Sequence, residues 1–242
     1  CKLRDTDLVV DIGCNDGALL DTFLAYTPRI LGVDPASPID SMGILKRPWN
    51  MQTALRIRDE VGQAKVITAT NTWAHLANQG EAAGAVATLL VPDGILILQV
   101  PWVRDLFAYS EYDTIYHEHL HYFGVRSLER LFEQHWLRVT HVDYLPAVHG
   151  GSLRVWVQHA DLPQDDSVGR LGDLDDTQWW SNSFNNIKEY TRSQTPPCWL
   201  YGASAKAVMW VAQNDVRGQI GAVLDDTPTK IGKRFPGTEL TV

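Results

Sequence analysis

The stretch DLVVDIGCNDGALL, residues 7–20, leaves this chain few folds to choose from. It is an apolar run that ends in a glycine-rich turn. That pattern predicts a strand buried on both faces and then a tight loop. ALLDTFLAYT follows with helical spacing, so that Leu19, Leu20, Phe23 and Leu24 share one face. The same alternation recurs. RILGVDPA predicts a second strand, stopped by Pro35. VITATNTWAHL predicts a strand running into a loop, and GILILQVPW a further strand. Strands alternating with helical segments imply an α/β class: a doubly wound, Rossmann-like sheet. SLERLFEQHW reads as a helix with Leu128, Leu131 and Phe132 on one stripe. LRVTHVDYLPAV and GSLRVWVQHA alternate apolar and polar residues, as antiparallel strands do.

The first domain is expected to span residues 1–160. Residues 161–178, DLPQDDSVGRLGDLDDTQ, are rich in Asp and Gly and read as a linker. WWSNSFNNIKEYTRS then reads as a helix, with Trp179 and Trp180 in a domain-interface core. CWLYGASAKAVMWVAQN repeats the strand, turn and helix, and GAVLDDTPTKIG supplies one more strand. Residues 179–242 are therefore expected to form a second, smaller α/β domain. The chain opens without Met and closes as another strand begins, so the expectation is a piece of a longer protein, incomplete in this second domain.

With 242 residues and 45% hydrophobic content, the chain can bury one large core or two modest ones. Its formal net charge of −8 disfavours nucleic-acid binding through a basic face. No apolar run reaches the roughly 20 residues needed to span a bilayer, and no secretory signal opens the chain. Cys1, Cys14 and Cys198 form no C-x-x-C pair, so neither a disulfide framework nor a zinc site is read from them. A cytoplasmic setting is the expectation.

Two stretches carry candidate chemistry. Gly13 and Gly17 flank the first turn, where glycine lets the backbone come close to a ligand and a helix start offers free N–H groups. Asp34 ends the next strand, where a carboxylate can accept from ribose hydroxyls. The spacing is G-x-x-x-G, not the dinucleotide G-x-G-x-x-G, and the acidic Asn15-Asp16 entrance would repel a pyrophosphate. S-adenosylmethionine is cationic at its reacting centre and suits Asp11 and Asp16 better. A bare strand-to-helix turn is the plain alternative.

The second stretch is YDTIYHEHLHYF, residues 112–123. In an extended segment His117, His119 and His121 would point one way, the arrangement a metal site needs. No H-E-x-x-H helix and no cysteine cluster accompanies them, and no metal is assigned. A general base with a near-neutral pKa is the stronger reading. Local hydrogen bonding accounts for His121 and for the scattered His135, His141 and His159.

DIGCNDGALL, GVDPAS, ATNTWAHL, PDGILILQVPW, YDTIYHEHLHYF, HGGSLRVWV and YGASAKA, in this order, resemble the nucleotide-sugar C-methyltransferases. The resemblance covers nearly the whole chain, and YHEH with HGGS downstream is its specific part. It implies an S-adenosylmethionine-dependent enzyme that methylates a carbon of a keto-deoxysugar on a nucleoside diphosphate. It implies a middle domain for the methyl donor, a Rossmann-like C-terminal domain for the nucleotide sugar, and an N-terminal zinc module of four cysteines that this chain does not carry. Gln99 stands where the family usually has Glu.

C-methylation requires removal of a proton α to a ketone, and a donor for the enolate oxygen. The resemblance implies His119 as the base, with Tyr116 at the ketone and His117 and Glu118 beside them; spacing alone does not choose between His117 and His119. It implies a cofactor site of Asp11, Gly13, Cys14, Asn15, Gly17, Asp34, Asn71 and His75. Gly150 and Gly151 allow close backbone approach after His149, and Ser152 and Arg154 can bind an anion. Tyr201 belongs to the turn before the second helix, where Lys206 and free N–H groups can hold a diphosphate. Asp225 or Asp226 can reach a ribose or base. The competing functions are O- or N-methyl transfer to a sugar-like acceptor, a non-catalytic nucleotide-sugar binder, and a zinc-dependent hydrolase.

Overall fold

Apolar strands gather into one seven-stranded sheet, with a separate two-stranded sheet near the C-terminal end of the described residues. A computed structural model describes residues 2–39, 43–109, 111–175 and 197–242. The helix expected over 179–193 and the Trp179–Trp180 pair lie outside the described residues. The chain divides into two units, Cys1–Val103 with Leu120–Asp175, and Arg104–His119 with Asp176–Val242.

The first unit holds seven strands: β1 Leu8–Ile12, β2 Ile30–Val33, β3 Ile44–Leu45, β4 Ala64–Thr70, β5 Leu90–Pro101, β6 Leu137–Leu145 and β7 Ser152–His159. Their order is β3-β2-β1-β4-β5-β7-β6. The pairs from β3 to β5 are parallel, and β7 is antiparallel to both β5 and β6. β1 lies inside the sheet, between β2 and β4, and all five of its residues are buried, which is why it reads as a nearly unbroken apolar run.

Helices α1 Ala18–Phe23, α2 Met51–Glu60, α3 Gln79–Leu89, α5 Val125–Glu133 and α6 Asp166–Gly172 belong to the same unit. α5 buries Val125, Leu128 and Phe132, and the Phe132 ring packs 5.8 Å from that of Trp73. Full burial of such a side chain contributes about 1.5–3 kcal/mol. On α1 only Leu20 is buried, and Leu19 and Leu24 are exposed. The apolar face expected there is therefore only partly covered.

The first unit does not end where the sequence reading placed its boundary. Within the expected linker 161–178, α6 forms and Asp165 caps it by accepting from the Ser167 backbone N–H at 2.8 Å. Asp175 then accepts from the Arg126 N–H and from the Trp102 indole N–H, both at 2.8 Å. The first of these places a carboxylate at the N-terminus of α5, where the helix dipole favours it. A side-chain carbon at Gly124 would sit 2.6 Å from Asp175, so glycine is needed there for the contact.

The second unit contains α4 Val103–Ala108 for most of its length and a 3-10 turn, Tyr112–Thr114. Its C-terminal part has β8 Cys198–Tyr201, α7 Ala205–Asn214 and β9 Ile220–Leu224, with β8 parallel to β9. Val211, Val216, Ile220, Val223 and Phe235 form its core.

Candidate functional site

The first candidate site lies where β1, β2 and β4 end. The chain leaves β1 through Gly13 at φ 72°. A side-chain carbon at Gly13 would lie 2.0 Å from Thr72 Oγ1, so only glycine lets the ends of β1 and β4 come this close. Asn15 and Asn71 also adopt left-handed backbone, φ 49° and 54°, a conformation that Asn tolerates better than most residues.

Asp34 follows β2. Its Oδ2 accepts from the Asn15 N–H at 3.0 Å and its Oδ1 from the Ala36 N–H at 2.7 Å. Each carboxylate oxygen keeps a further lone pair for a ligand. A cavity of about 600 Å³ opens beside it, lined by Gly13, Asp34, Asn71 and His75 among others, with Pro35, Pro48 and Trp49 as apolar wall. That volume lies in the range of small-molecule sites. The Trp49 indole donates to the Ala82 carbonyl at 3.1 Å, which fixes the ring. An apolar wall beside a carboxylate with free lone pairs fits a purine nucleoside.

Sequence reasoning missed Trp49, Asn50, Asn78 and Glu81 of this lining. Asn50 and Asn78 cap α2 and α3 by accepting from the Thr53 and Glu81 N–H groups. An Asn three residues before a Thr or a Glu is a helix-start signal that would have found both.

The remaining expected cofactor residues divide. Asp11 points to the other face of the sheet from Ile12, is 3% exposed, and accepts from Thr68 Oγ1 at 2.6 Å. Burial raises its carboxyl to about 6, against the pull of the Thr68 hydrogen bond, with the Asp34 charge adding to the rise. Cys14 is turned into the core, and burial, with Asp11 and Asp34, pushes its thiol up to about 11. Its backbone is therefore what it can offer a ligand; its carbonyl already accepts from the Gly17 N–H at 2.8 Å. His75 is exposed in the short turn Trp73–His75 and lines the cavity.

The loop between β6 and β7 brings His149, at φ 48°, to Asn71: His149 Nε2 and Asn71 Nδ2 are 3.1 Å apart. Gly150 and Gly151 also have positive φ. Ser152 is fully buried and donates to the Val148 carbonyl at 2.9 Å, so its hydroxyl closes the loop. Arg154 Nη2 donates to Gln99 Oε1 at 3.0 Å.

The histidine stretch belongs to the second unit as far as His119. It bends and turns at residues 116–118 and is not extended, so the alternation that would align His117, His119 and His121 is broken. His119 Nδ1 is 3.0 Å from the Thr114 carbonyl, and its Nε2 is 3.2 Å from the Tyr116 hydroxyl. A carbonyl only accepts, so Nδ1 carries the proton and Nε2 is the basic nitrogen. The Tyr116 and His119 rings lie 4.4 Å apart. Burial, joined by the Glu118 charge, raises the Tyr116 phenol, which keeps it a donor. His117 is 82% exposed and 3.8 Å from a Glu118 that is itself exposed. The geometry thus separates the two histidines that spacing left equal. His121 Nε2 is buried without a hydrogen-bond partner among the described residues. Those residues hold no group of three His, Cys, Asp or Glu able to bind a metal ion.

In the C-terminal part, Tyr201 is exposed and its hydroxyl contacts Asp226. Lys206 is exposed in the first turn of α7. Asp225 accepts from the Ala203 and Thr227 N–H groups and pairs with Lys230 at 2.9 Å. Its oxygens serve the loop.

The likenesses to known proteins agree with this architecture. The C-methyltransferase NovU of Streptomyces niveus is 37% identical over 164 residues, 65% of this chain and 39% of NovU. The chain therefore spans about two fifths of that relative's length. A SAM-dependent methyltransferase from Anabaena variabilis superimposes with a TM-score of 0.50 at 16% identity, over 65% of this chain and 79% of its own. A chain of the complex containing the Haloferax volcanii Trm112 methyltransferase activator does so at 0.50 and 14%, over 65% and 84%. At these identities the likeness is one of fold. Among the described residues no helix is long and apolar enough to cross a membrane. Residues 2–142, more than half of the sequence, match the methyltransferase domain family, and the chain belongs to it.

Proposed function

We propose that this chain is the methyl-transferring part of an S-adenosylmethionine-dependent C-methyltransferase whose acceptor is a keto-deoxysugar on a nucleoside diphosphate. Membership of the methyltransferase domain family supports methyl transfer, and the name of the NovU relative supports carbon as the acceptor atom. The observation that carries the reading is the fixed tautomer of His119, which leaves a basic Nε2 next to a phenol donor.

S-adenosylmethionine, when bound, supplies an electrophilic methyl group on a sulfonium. Asp34 would accept from its ribose hydroxyls, Trp49 would flank its base, and the backbone from Gly13 to Gly17 would face its amino-acid end. His119 Nε2 takes the proton from the carbon next to the sugar ketone. The C–H electron pair moves into the enolate, and Tyr116 donates to the developing oxyanion. The enolate carbon would then take the methyl group as its bond to the sulfonium breaks, that electron pair staying on sulfur, and the proton on His119 would leave to solvent. Residues 179–242 form the nucleotide-sugar domain in this reading, with Tyr201 and Lys206 on the ligand side.

Calorimetry and solvent-deuterium exchange test it on the full chain. S-adenosylmethionine should bind in the micromolar range, and Asp34→Ala should weaken it at least about tenfold, the loss of one charge-assisted hydrogen bond. His119→Gln should bind the cofactor normally but lose methyl transfer and deuterium wash-in at the sugar α-carbon. Wash-in that survives in His119→Gln would remove His119 as the base.

A further inference from the structure

A second concavity, of about 550 Å³, opens on the face of the sheet that carries α1. Its lining includes Asp11, Asp16, Phe23, Gln99, Arg154 and Trp156. The antiparallel register of β5 and β7 sets Gln99 opposite Arg154 and Ile97 opposite Trp156, so these side chains share one face. Gln99 is 8% exposed and holds the guanidinium through a single 3.0 Å hydrogen bond. An amide oxygen orients an arginine without neutralising it. Asp143, the cross-strand neighbour of Arg154 on β6, is turned to His141 instead. No ion pair joins Arg154 to a carboxylate among the described residues. Asp11 stands on β1, beyond β4 and β5 from Arg154, and its Oδ1 is engaged by Thr68. The concavity is thus acidic at its α1 end and cationic at its β7 end.

We infer that the β7 end of this concavity is an anion subsite, in which Arg154 binds an anionic oxygen group and the neutral Gln99 keeps its charge available. Guanidinium N–H groups not used by Gln99 remain to meet a carboxylate or phosphate in the paired geometry both prefer. Trp156 adds an apolar flank. The inference rests on the proposed function for the two sources of such a group: the carboxylate at the amino-acid end of the methyl donor, or the diphosphate of the acceptor. The acidic α1 end orders either ligand with its anion toward β7.

The test is calorimetry on the full chain, with Arg154→Gln and Gln99→Glu beside the wild type. Three probes separate the sources: S-adenosylhomocysteine, 5′-methylthioadenosine, which lacks the amino-acid end, and a nucleoside diphosphate. Both variants should weaken one of the two anionic probes at least about tenfold, the scale of one charge-assisted pair. The probe that loses affinity names the source, and 5′-methylthioadenosine should bind all three proteins alike. Gln99→Glu keeps the side-chain shape and carries the test if Arg154→Gln fails to fold. Unchanged affinity for both anionic probes in the variants, or no binding of either by the wild type, overturns the inference. Failure of 5′-methylthioadenosine to bind the wild type strikes the cofactor reading instead, and the nucleoside diphosphate then decides the anion subsite.

Discussion

His119 and His141 lie in different units, and the groups against their rings differ in kind. His141 faces acceptors on both sides: Asp165 contacts its Nδ1, and Asp143 lies 3.0 Å from its Nε2. Two acceptors require a proton on both nitrogens. The hydrogen bond to Asp165, with Asp143 adding to it, raises its pKa. In its protonated form, which the two carboxylates favour, His141 ties β6 to the cap of α6. His119 Nδ1 lies against the Thr114 carbonyl and its Nε2 against the Tyr116 hydroxyl, an arrangement that protonates Nδ1 and leaves Nε2 as the basic nitrogen. The chemistry of the groups around an imidazole, not its position in a motif, separates the clamp at His141 from the base proposed at His119.

The largest effect belongs to the hydroxyl half of that contrast. Tyr116→Phe should lower kcat by about 10²–10³-fold, the usual cost of one oxyanion donor, with cofactor affinity unchanged by calorimetry. Unaltered turnover would mean that the Tyr116–His119 pair is structural, like the His141 clamp.

Asp11 carries the same logic to a carboxylate. Its folded pKa is raised, so burial disfavours its charged form, and stability falls as pH rises from about 4 to about 6. Asp11→Asn keeps an acceptor for Thr68 and removes the charge. It should stabilise the protein by about 3 kcal/mol above pH 6 in urea unfolding, and by less at pH 4. An equal gain at both pH values would point to packing and not charge.

The smallest effect is that of His141. Its raised folded pKa contributes stability that is full below its ordinary value of 6.5 and is lost as pH rises through the folded value. The side chain is 39% exposed, so solvent screens much of this. His141→Gln should lower Tm by about 2–4 °C at pH 6, corresponding to roughly 1 kcal/mol in a chain of this size, and by less at pH 9. A constant difference would make His141 a packing residue, and the contrast with His119 would lose its electrostatic basis.

What could be read in advance follows from the range of the interactions. The β1 turn and its glycines were legible because a buried strand must be apolar over its whole length. β6 and β7 were legible because their alternation is local. α3 was not, because its Ala- and Gly-rich sequence buries Ala82, Ala83, Gly84, Ala85, Val86 and Leu89 and leaves no stripe. The linker was misplaced because Asp165 and Asp166 carry the same letters at a helix cap as in a loop. His117 and His119 could not be told apart, since the turn at 116–118 replaces strand alternation. The Asp11–Thr68 bond joins two strands distant in sequence, and neither residue is unusual where it stands.

The strand order has a temporal side. β1 is synthesised first yet lies inside the sheet, and its second neighbour, β4, begins only at Ala64. At about 5–20 residues per second on the ribosome, β1 waits some seconds with one edge unpaired. Its apolar face is open to other nascent chains for that interval. The β6–β7 hairpin closes from neighbouring sequence and has no such wait. Burden on chaperones should therefore fall on the first third of the chain, and a slow translation step is better tolerated after β4 than before it.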